Sequence, residues 1–130
     1  IHEAVGDDNI FIFGVETPEV DALYAHGYKP WEYYNNSVKI KETLDFIRTM
    51  TVGGMNFNFI VDYLLTQDNY MCLADFESYV AAQEKVAQTY QDKEKWGQMS
   101  LVNTANAGIF SADRSVEEYA KDIWDIKKVK

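Results

Sequence analysis

Apolar positions come in short runs along this chain, each closed by glycine, proline or an acid, so the pattern cuts it into strand-length and helix-length pieces. NIFIFG (9–14) is brief, apolar and ends on Gly14, which predicts a buried strand of a parallel sheet. TPEVDALYAHG follows with Thr17 as N-cap, Pro18 in the first turn and Gly27 as a stop, predicting a short helix. PWEYYNNS and VKIKETLDFIRTM continue helically. In the second, Val38, Leu44, Ile47 and Met50 recur at roughly helical spacing while Lys39, Lys41, Glu42 and Asp45 take other faces. Gly53 and Gly54 break the pattern as a loop or hinge.

Beyond the glycines, Phe57, Ile60, Val61, Leu64 and Leu65 line one side of an amphipathic helix. MCLADF (71–76) predicts a second short strand. It feeds a long helix with Tyr79, Ala82, Val86 and Tyr90 on its inner side. Trp96, Met99, Leu101, Val102 and Ala105 mark another helix before Gly108. The sum is a mainly α chain with two short parallel strands, read as one segment over residues 1–130 without internal repeats or low-complexity tracts.

The closing piece, FSADRSVEEYAKDIW, predicts a helix over about residues 115–126. Ser115 and Glu118 form a capping box, and Val116, Tyr119, Ala120, Ile123 and Trp124 fall at i, i+3, i+4, i+7 and i+8. Lys127 and Lys128 sit near its end, where cations complement the helix dipole. Burying Val116, Tyr119, Ile123 and Trp124 contributes ~6–12 kcal/mol at roughly 1.5–3 each. A lone helix below ~12–15 residues is marginal in water. This helix therefore needs a docking surface.

Composition narrows the function classes. With 130 residues and 47% hydrophobic content the chain can bury one real core, and 15% aromatic residues set it apart from disordered chains. Twelve basic against 21 acidic residues give a net charge of -9, which disfavours nucleic acid and anionic membranes as partners. No run approaches the ~20 apolar residues of a membrane span. The lone Cys72 has apolar neighbours, which suits a buried thiol in a reducing, cytoplasmic compartment. The chain begins without methionine, as a fragment or processed product does.

Chemistry-bearing residues are sparse. His2 and His26 have no second ligand at metal spacing, and His26 adjoins a helix-terminating glycine. Cys72 lacks a histidine nearby, and apolar surroundings would raise its pKa. Asp7 and Asp8 precede no calcium-loop spacing, and Glu117 and Glu118 suit a first helical turn. FGVETPEV and TVGGMN match neither phosphate-binding glycine motif. Trp31, Tyr33 and Tyr34 could stack on a sugar, but their spacing and apolar neighbours assign them to a core. No catalytic, cofactor-binding or metal residue is assigned.

DDNIFIFG, GYKPWEYY, LADFESYVAAQEKVAQTYQDKEKW and FSADRSVEEYAKDIW, in that order and spacing, resemble the carboxyl-terminal portion of the α-glucan phosphorylases, the family of glycogen and maltodextrin phosphorylases. The resemblance spans nearly all 130 residues, with NNSVKIKETLDFIRTMTVGGMNFN following the family pattern loosely. It implies a segment of a Rossmann-like domain in a GT-B type glycosyltransferase, whose last helix crosses back towards the amino-terminal domain or mediates association. It implies a parent hexosyltransferase that uses lysine-bound pyridoxal phosphate to move glucose from the non-reducing end of an α-1,4-glucan to phosphate, giving glucose 1-phosphate. The family's lysine motif, ending in Asn-Met-Lys, has no equivalent here: GGMNFN (53–58) lacks the lysine. The chain alone is accordingly expected to be structural and inactive, without bound cofactor. Its expected partners are the remainder of the phosphorylase chain, glucan and phosphate through the parent, and further copies in a homo-oligomer. The competing expectation is an independent helical protein-interaction module.

Overall fold

In order, the elements of the computed structural model, which describes residues 1–126, are α1 (His2–Val5), a 3₁₀ turn (Asp7–Asn9), α2 (Thr17–His26), α3 (Pro30–Asn36), α4 (Val38–Thr49), β1 (Thr51–Val52), β2 (Met55–Asn56), α5 (Asn58–Thr66), α6 (Cys72–Gln91), α7 (Lys93–Asn106), a second 3₁₀ turn (Ala107–Phe110) and α8 (Ala112–Asp122). Among the described residues, no helix is long and apolar enough to cross a membrane. Contacts group the described residues into two compact units: residues 12–84, and residues 1–11 together with 85–126.

The helical expectation holds, whereas both predicted strands are corrected. The strands observed are β1 and β2, antiparallel rather than parallel, with Thr51 opposite Asn56 and Val52 opposite Met55. Gly53 and Gly54 form the turn between them at φ 59° and 82°. A two-residue hairpin turn of this hand needs positive φ at both positions, and glycine adopts it without a Cβ clash. The glycine pair is therefore the tip of a hairpin.

NIFIFG begins at the end of the 3₁₀ turn, with Ile10 extended at φ -142° and ψ 152°, but it pairs with no strand among the described residues. Its backbone is held differently. The Gly14 amide donates to Ser78 Oγ at 3.0 Å and the Val15 amide to Asp75 Oδ1 at 2.8 Å. MCLADF is not a strand at all, since α6 begins at Cys72. The cause is Asp68, whose carboxylate accepts the Cys72 and Leu73 amides at 2.9 Å each and so satisfies the first turn of a helix.

In the unit of residues 12–84, the core is Ile40, Leu44, Val61 and Leu73, with Tyr33, Tyr34, Ile47, Leu64, Leu65 and Phe76 packed against it. The inner face of α4 is thus Ile40, Leu44 and Ile47. Val38, expected inside, is 71% exposed. A step of 4 and then 3 residues returns to one side of the helix, and Val38 lies off that line. Ser37 caps α4 by accepting the Ile40 amide at 3.2 Å. Helix α2 starts one residue earlier than predicted: Glu16, not Thr17, is the N-cap, in a capping box with Glu19.

In the other unit, Val5 and Met99 are buried, and α7 packs against α1 and the first 3₁₀ turn. Trp96 stacks on Phe11 at 6.3 Å and meets Tyr90 edge-on at 5.0 Å. Asn103 Nδ2 donates to the Asn9 carbonyl at 2.7 Å, tying α7 to the amino end. Leu101, expected on the inner face, is exposed.

Helix α8 also begins earlier than predicted. Ser111 is its N-cap and Ser115 lies within it, its hydroxyl donating to the Ser111 carbonyl at 3.3 Å, so the Ser115–Glu118 capping box does not form. The helix ends at Asp122. The Ile126 amide reaches back to the Ala120 carbonyl at 2.8 Å, with Asp125 at φ 48°, a helix-closing turn usually made by glycine or asparagine. Trp124 therefore lies beyond the helix, and Lys127 and Lys128 lie outside the described residues.

Candidate functional site

His26, His2, Asp7 and Glu118, singled out for chemistry, have local structural partners. His26 hydrogen-bonds through Nδ1 to the Ala22 carbonyl at 2.7 Å, inside the last turn of α2. His2 pairs with Asp7 on the surface of the other unit. Glu118 pairs with Arg114 at 3.3 Å one turn earlier on α8, so the Glu117–Glu118 pair lies past the first turn where it was expected. Among the described residues, no group of three or more His, Cys, Asp or Glu side chains could hold a metal ion. The predicted candidates are not gathered into a site.

Cys72 corrects the expectation of a buried thiol: it is exposed. Its pKa is nevertheless raised, first by partial desolvation of the sulfur and then by the neighbouring negative charge of Asp68. A thiol held protonated in this way is a poor nucleophile. Trp31 is likewise 51% exposed rather than in the core, whereas Tyr33 and Tyr34 are half-buried as expected.

The best-built polar feature was not singled out from sequence. Asp68 is 1% exposed and accepts three hydrogen bonds, from the amides of Cys72 and Leu73 and from the Tyr28 hydroxyl at 2.6 Å. Next to it, Tyr24 Oη donates to the Asn69 carbonyl at 3.1 Å. Asp68 and Met71 both adopt positive φ, at 35° and 54°. A buried carboxylate is tolerable only when its oxygens are satisfied, and these are. Burial and then the bond to Asp68 push the Tyr28 phenol far above its ordinary value. The signal in the sequence was an aspartate just ahead of a helix-forming run; reading MCLADF as a strand hid it.

Asp68 thus fastens α6 to the loop between α2 and α3, and Glu77 performs a similar task one turn further on. Its carboxylate accepts the Ser37 hydroxyl and lies 3.8 Å from Lys39 Nζ, linking α6 to the start of α4. These groups hold helices to helices. None is aimed at an open cavity as an unpaired acid, base or nucleophile.

The remaining feature is apolar. On and after α8, Val116 is 61%, Tyr119 53%, Ile123 64% and Trp124 60% exposed. Side chains that would gain ~1.5–3 kcal/mol each by burial are left against water. A patch of this kind marks an interaction surface.

Among the described residues, then, the chain is mainly helical, Asp68 and Glu77 join its helices, and the apolar side chains on and after α8 are exposed. The carbohydrate phosphorylase family model matches residues 1–126, and the chain belongs to that family. It is 46% identical over 132 aligned residues to a glycogen phosphorylase of Synechocystis sp., covering 99% of this chain and 16% of that protein. The glycogen phosphorylase of Bacillus subtilis is 41% identical, covering 98% of this chain and 16% of the relative. The liver form from Homo sapiens is 37% identical over 96% of this chain and 15% of its own length. The chain spans about one sixth of the curated relatives it matches.

Proposed function

We propose that this chain is the carboxyl-terminal segment of an α-glucan phosphorylase, whose parent transfers glucose from the non-reducing end of an α-1,4-glucan to phosphate. The observation that carries the reading is the family match over residues 1–126 joined to the exposed side chains Val116, Tyr119, Ile123 and Trp124. The segment completes a Rossmann-like domain of GT-B type. There, the exposed apolar side chains on and after α8 dock on polypeptide that precedes this segment in the parent. Cytoplasmic location and assembly into homo-oligomers belong to the same reading.

The parent's cofactor is pyridoxal phosphate, whose own phosphate group would assist the transfer of glucose to inorganic phosphate. The residues present do not fit a site for it. Lys29, Lys39, Lys41, Lys85, Lys93 and Lys121 are exposed and Lys95 is half-buried, so no described lysine sits in the enclosed pocket that a stable imine requires. Several are already engaged: Lys29 with Glu32 at 3.3 Å, Lys39 with Glu77, and Lys93 over the Tyr90 ring at 3.1 Å. On this reading, the lysine that carries the cofactor belongs to the parent's preceding sequence.

The test is direct. Incubated with maltodextrin, phosphate and pyridoxal phosphate, the purified chain yields no glucose 1-phosphate and shows no absorbance band of a bound imine. The full-length enzyme containing this segment yields both. Turnover by the chain alone would overturn the proposal, as would an active enzyme from which these residues have been deleted.

A further inference from the structure

We draw no further inference here: the strongest candidate, the exposed apolar surface of Phe46, Met50, Val52, Met55 and Phe59 where α4 and α5 meet the hairpin, carries nothing because nothing in the structure shows what covers it.

Discussion

Asp68 shows how one side chain decides a local fold. Replacing it with alanine strands the Tyr28 hydroxyl and the first amides of α6 in a buried setting, at a cost of about 2–4 kcal/mol. Asp68→Asn keeps one acceptor oxygen and should lose less. Urea unfolding followed by circular dichroism ranks the two, and an alanine variant as stable as the parent chain would contradict the role. A second residue-scale prediction concerns alkali. The Tyr28 phenol is raised by burial, Tyr33 also by burial, and Tyr34 chiefly by its hydrogen bond to Asp45. The folded chain thus binds more protons than the unfolded chain once pH passes the ordinary phenol value of 10.0. Their contribution is fully present below that value and declines as pH rises beyond it. Denaturant midpoints at about pH 8, 10 and 11 trace the decline, and Tyr28→Phe should flatten it. A slope unchanged in that variant would place the titration elsewhere.

At the scale of elements, two glycines give opposite expectations. Gly14 has φ 99°, and a Cβ there would come within 3.0 Å of the Asp75 carboxylate. Gly14→Ala should destabilise by about 1–3 kcal/mol, because it combines backbone strain with loss of the clamp that holds this loop on α6. Gly97 lies within α7, and a Cβ there meets nothing within 4 Å. Gly97→Ala should stabilise by about 0.5–1 kcal/mol through helix propensity alone. Thermal melts of both variants check the pair. Periodicity made most helices legible, and Val61, Leu44 and Met99 are buried as that pattern requires. Apolar runs misled where they were short. MCLADF is as apolar as a strand, but an aspartate placed ahead of it satisfies helix amides, and no hydrophobicity pattern registers that bond.

For the whole molecule, the apolar side chains on and just after α8 separate two kinds of stability. Within this chain Val116 and Ile123 are exposed, so Val116→Asn and Ile123→Asn should change its unfolding free energy by no more than about 0.5 kcal/mol. In the full-length enzyme the same substitutions should cost several degrees of melting temperature, because there they leave polar groups in a closed interface. Equal effects in both contexts would argue against docking onto the parent. The isolated chain should also self-associate through these exposed faces, measurably by light scattering, and the two asparagine substitutions should reduce it. Among the described residues, the polar side chains Asp68 and Glu77 join helices to one another.

Sequence alone determined the helical character, the breaks at Gly27 and Gly53–Gly54, the apolar stripe of the last helix and the family resemblance. Each is a local or collinear property: side-chain spacing, backbone permissiveness and the order of residues survive without a fold. Tertiary structure alone decided that Ile40 rather than Val38 faces the core, that Cys72 stands exposed, and that the strands among the described residues form a glycine hairpin. Those outcomes depend on which distant group arrives beside a given atom. The Tyr28 hydroxyl and the Asp68 carboxylate are 40 residues apart in the chain and 2.6 Å apart in space, a meeting that no local pattern encodes.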